Sequence, residues 1–285
     1  MKKIKYILLI ITIATTALQS FSQGTTVYSG KKNIYLGLSL SGGLSTINHT
    51  VSTKNEYSDA GGLATEESFN IGYSISRIIG IETGVGFQSF TNKASLKEYT
   101  NNIESIDNEG DAFEMEISGN TITDQQTLGL LQIPVSVRIQ IPLSTKFFLI
   151  VQPGVVAGFP LIKTSSVTST FTYNGYYPEY NVTLTDLPQY GFASDYETTI
   201  ENEMATSSLV FLLQARAGLS YMLSPKLNLT AGVCYDKNLS TLLETTPDAY
   251  LTTAMDNVKS SSVLSTQSDL SGISGFVTLG MFLFR

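Results

Sequence analysis

Apolar and polar residues alternate along much of this chain. Between Gly129 and Phe159, in GLLQIPVSVRIQIPLSTKFFLIVQPGVVAGF, every second residue from Leu131 to Ile141 is apolar. A period of two places one set of side chains on each face of a β-strand. This stretch contains two such segments. Six more occur at Asn33–Ser45, Ser68–Ser76, Gly80–Phe90, Ser208–Leu223, Lys226–Asp236 and Gly275–Arg285. The last has large apolar groups on both faces, so its phase is unclear.

The connections between these segments alternate between short and long. SRIIG, PLST and LSPK are tight turns after the second, fourth and sixth segments. The other connections are long loops, at Thr46–Glu67, Thr91–Thr127, Pro160–Ser207 and Lys237–Ser274. Long loops without secondary structure are uncommon in compact soluble domains. Short turns on one side and long loops on the other are typical of bacterial outer-membrane barrels.

We therefore predict an all-β fold: an eight-stranded antiparallel transmembrane β-barrel with long extracellular loops. Segments of about 9–12 residues are long enough for tilted strands to cross a bilayer. Their apolar face would meet lipid, and their small, polar face would line the interior. Both termini and the short turns would then be periplasmic. The alternative is a soluble lipocalin-like cup or sandwich, which would put its apolar face inside and rarely has four loops this long.

The N-terminus, MKKIKYILLIITIATTALQSFSQ, has the features of a secretory signal peptide. Lysines precede an apolar stretch from Tyr6 to about Leu18, and the small residues Ser20 and Ser22 follow it. This pattern predicts export, with cleavage near Ser22–Gln23. Residues 1–22 would be the signal peptide and residues 23–285 the outer-membrane barrel domain.

The charge of the exported chain argues against two classes of partner. After cleavage 14 basic and 24 acidic residues remain, a net charge of −10. Neither nucleic acid nor an anionic membrane surface is therefore expected as the main partner. The single Cys234 cannot form an internal disulfide. The acidic run Asp107–Glu116 does not match a calcium-loop pattern, so we expect no metal site and no cofactor.

The stretch LLQIPVSVRIQIPLSTKFFLIVQPGVVAGF resembles a small outer-membrane β-barrel family of Bacteroidota that includes PorT-like proteins. The similar features are a strand with an L-E-I-P motif, a short turn and a strand that ends in an apolar segment containing glycine. Gln132 replaces the acidic residue of the motif before Ile133 and Pro134. The resemblance covers most of the barrel and none of the long loops. It implies the barrel fold much more than any particular role.

Four charged residues fall on the face predicted to line the interior: Glu82, Arg138, Arg216 and Asp236. An eight-stranded barrel is filled by side chains, and unpaired buried charges are costly. We therefore expect an ion-pair network in the lumen, as the resemblance to OmpA-like barrels also implies. The alternative is a narrow ion path, which would make the protein a porin-like passive channel.

The third long loop is rich in tyrosine. Its front half keeps the strand alternation, so the fifth strand is expected to extend above the membrane. Exposed tyrosines provide large contact areas at low entropy cost. Six tyrosines are candidates for a binding surface: Tyr173, Tyr176, Tyr177, Tyr180, Tyr190 and Tyr196. The alternative is that they pack among the loops as a cap.

Catalysis has little support in the sequence. The single His49 lies in the first long loop with Ser45 and Asp59, but no spacing fixes a base and an orienting group. We predict no catalytic residues and a non-enzymatic role in envelope structure, surface binding or an envelope or secretion assembly. A passive channel is the first alternative, and a barrel enzyme acting on lipid or peptide is a distant one. Expected partners are outer-membrane lipid and another envelope protein or extracellular ligand.

Overall fold

The computed structural model describes residues 34–50, 57–204, 206–240, 242 and 267–283. The predicted signal peptide, residues 1–22, lies outside these ranges. Within them, no helix is long and apolar enough to cross a membrane. Apart from one short 3₁₀ helix at Pro188–Tyr190, the described elements are strands.

Eleven strands are described. In chain order they are β1 (Ile34–Thr50), β2 (Tyr57–Asp59), β3 (Gly62–Ser74), β4 (Ile79–Ile106), β5 (Ala112–Pro142), β6 (Phe147–Tyr177), β7 (Val182–Leu184), β8 (Ala193–Glu203), β9 (Val210–Met222), β10 (Leu227–Asn238) and β11 (Gln267–Phe282).

Eight of these strands form a closed antiparallel ring. Its order is β1, β3, β4, β5, β6, β9, β10 and β11, and β11 pairs again with β1. The first and last strands pair from Tyr35 with Phe282 to Thr50 with Gln267. Closure leaves the ring without a free edge, so its backbone groups are satisfied by neighbouring strands. The predicted eight-stranded barrel is confirmed.

The predicted phase of the strands is also confirmed. The apolar residues of the alternating segments lie on the outside of the ring and are exposed, as for Ile71, Val85, Ile133, Val137 and Leu219. The last strand, whose phase was unclear from sequence, directs Ile273, Val277, Leu279 and Met281 outward. The result is an apolar belt around the barrel.

The belt has the height of a bilayer core. On β5 it runs from Leu131 to Ile141. Ten residues of strand span about 34 Å, or about 25 Å along the barrel axis at a tilt near 40°. Such an apolar surface would be unfavourable in water and fits hydrocarbon.

Two of the segments predicted as long loops are mostly strand. β4, β5 and β6 contain 28, 31 and 31 residues, well beyond the predicted 9–12. Their upper parts occupy much of Thr91–Thr127 and the front half of Pro160–Ser207, where the extension of the fifth strand was expected. The apolar outward positions end at the belt, and the strands continue with polar outward residues such as Lys93 and Gln125. This change of outer face hid the upper parts of β4 and β5 from the sequence pattern, whereas the extension of β6 was expected. We call residues 91–127 and 163–204 the extension.

A β-bulge separates the barrel from the extension on β6. The pairing of β5 with β6 shifts between Gly129 and Leu130, which leaves Leu161 as the extra residue. Proline is tolerated at bulges, and Pro160 lies directly before Leu161. Below this point β6 pairs with β9, as far as Gly158, and above it β6 pairs with β8, from Thr164. The sheet therefore leaves the ring at the bulge.

Adjacent substitutions on β5 test the belt. Val137 is 40% exposed on the belt, whereas Ser136 lines the interior and pairs in register with Glu82. We expect Val137→Arg to lower the free energy of unfolding by about 2–4 kcal/mol, because arginine would face hydrocarbon. Ser136→Arg should cost less, because its charge enters a lumen lined by polar side chains instead of hydrocarbon, although crowding in the filled lumen adds some cost. Urea unfolding of the barrel in lipid vesicles measures both. Equal losses would contradict the assigned phase.

Candidate functional site: the lumen and the extension

The end of the lumen near the short turns is closed by aromatic rings and an ion pair. Arg138 Nη1 donates to Glu82 Oε2 at 3.1 Å, and both side chains are buried. The Arg138 guanidinium also lies over the Tyr35 ring, 4.1 Å from its centroid. The Tyr35 and Phe282 rings are 5.3 Å apart. The lumen is therefore filled at this level.

A second ion pair crosses the middle of the lumen. Arg216 Nη2 donates to Glu66 Oε1, and both side chains are buried. Arg216 also lies near the Phe276 ring, 5.6 Å from its centroid. Glu66 was not among the predicted lumen residues, because the sequence placed it in the first long loop. The structure instead places it inside β3, where the alternation of GLATEESFNIGYS would have assigned it to the inner face.

Asp236 is held by amides. Gln214 Nε2 donates to its Oδ1 and Gln88 Nε2 donates to its Oδ2, each at 3.0 Å. All four predicted lumen charges thus lie inside the barrel. Two of them, Glu82 and Arg138, pair with each other, whereas Arg216 pairs with Glu66. The predicted set of four charges therefore omitted Glu66, the partner of Arg216.

Further polar side chains fill the remaining space. Gln132, Gln152 and Asn70 are buried in the lumen. Several buried atoms have no protein partner, including both amide atoms of Gln132 and Nε of Arg138 and of Arg216. Buried water commonly satisfies such groups. A small cavity beside Gln152 and Arg216 has room for about one water molecule.

An apolar layer closes the lumen at its other end. It is contributed by seven of the eight ring strands and by Leu242, which follows β10. Its members are Ile47, Ala64, Phe90, Leu128, Leu130, Val156, Val210, Leu212, Leu242 and Leu270. All are nearly or fully buried. Polar groups therefore line the middle of the lumen, with this apolar layer on one side and the aromatic rings on the other.

The extension has two apolar cores of its own. The first lies inside β4, β5 and β6 and contains Ala94, Leu96, Ile117, Ile122, Val167, Phe171 and Tyr173. The second lies at the tip and contains Phe113, Tyr177 and Phe192. The Phe113 and Tyr177 rings stack at 5.2 Å, and Phe192 meets Phe113 edge-on at 5.7 Å. The extension is thus a packed structure.

The six predicted binding tyrosines do not form one surface. Tyr173 and Tyr177 are 5% and 7% exposed and belong to the two cores. This burial corrects the expectation for these two and agrees with the alternative of packing. Tyr180 and Tyr190 are more than half exposed, and Tyr176 is half-buried. The Tyr196 side chain lies outside the described part of the structure.

Hydrogen bonds between tyrosines and carboxylates fix the tip. The Tyr177 hydroxyl donates to Asp107 and the Tyr180 hydroxyl donates to Asp111, both at 3.1 Å. Asp107 also accepts the backbone N–H groups of Glu109 and Asp111, at 2.9 Å. These bonds, above all the one from the Asp111 N–H, hold the pKa of Asp107 below its ordinary value. Burial of its ring and the bond to Asp107 raise the pKa of Tyr177 to about 12.

Two of the three possible catalytic residues make structural hydrogen bonds. The Ser45 hydroxyl is buried and donates to the Thr91 carbonyl oxygen at 2.7 Å. Asp59 accepts from the Asn92 amide at 3.3 Å. His49 lies in β1, and its side chain is outside the described part of the structure. In the described residues, no three histidine, cysteine, aspartate or glutamate side chains form a metal-binding group.

A closed eight-stranded ring with an apolar belt defines a transmembrane β-barrel of the outer-membrane class. No protein-family model and no curated protein matches the chain. The resemblance to the Bacteroidota family therefore stays a prediction.

Small outer-membrane proteins are among the similar solved structures. Neisserial surface protein A has 10% identity and a TM-score of 0.32, covering 86% of this chain and 96% of its own. OprG from Pseudomonas aeruginosa has 13% identity and a TM-score of 0.38, covering 90% of this chain and 98% of its own. Ail of Yersinia pestis has 9% identity and a TM-score of 0.26, covering 89% of this chain and 100% of its own. Because these TM-scores are below 0.5, the fold is assigned from the strand pairing and the belt alone.

Two adjacent glutamates on β3 test the lumen ion pair. Glu66 is buried against Arg216, whereas Glu67 is exposed on the outer face. Glu66→Gln should lower the free energy of unfolding by about 3–5 kcal/mol, because it leaves a buried guanidinium unpaired. Glu67→Gln is the matched control and should change it by less than about 0.5 kcal/mol. Unfolding of both variants in urea gives the comparison, and similar small losses would contradict the lumen pair.

Proposed function

We propose that this protein is a non-enzymatic surface-binding protein of the outer membrane. The barrel anchors the extension, and the extension binds an extracellular ligand or another envelope protein. In this proposal the termini and short turns are periplasmic and the extension faces outward.

The main support is ordered structure that membrane anchoring does not require. About ten residues per strand are enough to cross a bilayer. β4, β5 and β6 are roughly three times as long and build two further apolar cores. Ordering a residue costs about 1–2 kcal/mol of conformational entropy, which the cores of the extension must offset. We therefore place the function in this ordered structure outside the membrane.

The tip of the extension has the composition of a binding surface. Ile106, Tyr180, Val182 and Tyr190 are exposed at this end, and we call these four residues the tip surface. Interfaces are enriched in tyrosine and other large side chains with a polar rim. The hydrogen bond from Tyr180 to Asp111 holds one of these rings in place, which lowers the entropy cost of binding.

The charge of the extension indicates the kind of partner. It contains fourteen acidic residues and three lysines, a formal net charge of −11. Beside the tip surface, Glu109 and Glu179 are exposed. Complementary charge speeds association and disfavours like-charged partners. We therefore propose a partner that presents basic residues.

The packed lumen argues against the alternative of a passive channel. The apolar layer and the rings of Tyr35 and Phe282 lie on either side of the ion pairs. An eight-stranded barrel has an interior just wide enough to be filled by side chains. Steady ion conductance of the purified barrel in planar bilayers would favour the channel.

Photo-crosslinking on intact cells tests the proposed binding role. A photoreactive phenylalanine analogue replaces Tyr180 or Tyr190 at the tip, and control variants carry it at Val135 in the belt and Leu143 in a short turn. We expect a protein adduct at the tip positions that is absent from Val135 and Leu143. Glu109→Gln with Glu179→Gln should reduce its yield severalfold, because the basic partner loses its complementary charge.

Two outcomes would contradict the proposal. Adducts confined to Leu143 would place the contact at the short turns and favour an accessory of an envelope assembly. Adducts at Val135 but not at the tip would leave lipid as the partner and no surface ligand.

A further inference from the structure

The three short turns of the barrel share one backbone design. They lie at Ile75–Ile78, Leu143–Lys146 and Leu223–Lys226. Each has serine in second place, and its Oγ accepts two backbone N–H groups at 3.0–3.4 Å. In each, the N–H of the first residue donates at 2.9 Å to the first carbonyl of the following strand. The turns are therefore rigid hairpins of the same shape.

Each turn pairs an exposed aliphatic side chain with an exposed cation. The first residues, Ile75, Leu143 and Leu223, are 59%, 53% and 51% exposed and continue the apolar belt. The cations, Arg77, Lys146 and Lys226, come two or three residues later and are exposed. Long basic side chains at the edge of an apolar surface extend toward lipid headgroups.

The cations have no acidic counterpart at this end of the barrel. Among the described residues 34–37, 73–82, 137–149, 219–230 and 279–283, Glu82 is the single acid, and it is buried against Arg138. The described ion pairs do not include Arg77, Lys146 or Lys226. The turn end is thus basic although the chain as a whole is acidic, so the expectation drawn from the net charge does not apply to this end.

We propose that the three turns form a binding surface for anionic phospholipid in the leaflet at the turn end. Phosphatidylglycerol represents this class of lipid. The aliphatic residue of each turn lies in the hydrocarbon edge, and the cation beside it contacts a headgroup phosphate. The three contacts are spread around the ring, between β3 and β4, β5 and β6, and β9 and β10. This contact is independent of the ligand proposed for the extension.

Charge complementarity selects this lipid class. Zwitterionic lipids also carry a phosphate, but their headgroup has no net charge to neutralise the basic end. A basic residue near an anionic surface strengthens binding roughly five-fold, so three acting together could reach about 100-fold. The interaction is screened by salt and should weaken as ionic strength rises.

Lipid retention tests the proposal. The full barrel is folded in bicelles with equal amounts of phosphatidylglycerol and phosphatidylcholine, and native mass spectrometry counts the lipids that stay bound. We expect the wild type to retain phosphatidylglycerol over phosphatidylcholine by about ten-fold or more. The triple variant Arg77→Gln, Lys146→Gln and Lys226→Gln should retain the two lipids within about two-fold of each other.

Matched controls separate this surface from net charge. Lys93→Gln, Lys97→Gln and Lys237→Gln make the same charge change at the opposite end and should keep the preference. The exchange variant Arg77→Lys, Lys146→Arg and Lys226→Arg should also keep it. If the glutamine variant does not fold, the salt dependence of the wild-type preference still decides the question. Equal retention by the wild type, a preference unaffected by 0.5 M salt, or loss in the control variant would overturn the proposal.

Discussion

The structure depends on the need to satisfy every backbone N–H and C=O group in hydrocarbon, where water cannot do so. Pairing of β11 with β1 closes the ring and removes its free edges. Closure also fixes the alternation, because side chains on the outside must suit lipid and those inside must fill a narrow lumen. The outward belt, the two lumen ion pairs and the apolar layer all follow from this arrangement.

The lumen and the extension are stabilised in different ways. Inside the barrel, Arg138 and Arg216 each need a carboxylate, which Glu82 and Glu66 provide. Outside the membrane, water can solvate the outer face of the strands, so β4, β5 and β6 change from apolar to polar outward residues without losing their inward cores. The bulge at Leu161 lies where the sheet passes from the membrane-spanning ring to the extension.

The barrel could be predicted from sequence because period-two alternation against lipid is a strong signal, and Leu131 to Ile141 shows it without interruption. Of the extension, the continuation of β6 could be predicted from its alternation. The upper parts of β4 and β5 could not, because their outward residues, such as Lys93 and Gln125, are polar and resemble those of a loop. Glu66 was missed for the same reason. Tyr177 is buried against Phe113, which lies on another strand, and Tyr173 is buried in a core shared with residues of β4 and β5. Contacts between strands are not visible in the alternation of a single strand.

Spin labels along the outer face of β5 test the central claim, a membrane-spanning ring that continues as a solvated sheet. In a Cys234→Ser background, single cysteines carry the label at residues 125, 131, 135 and 137, and relaxation by oxygen and by a water-soluble nickel complex is compared. We predict that oxygen dominates at 131, 135 and 137, because these positions face lipid, and that nickel dominates at 125. Nickel access at all four positions would contradict a membrane-spanning barrel.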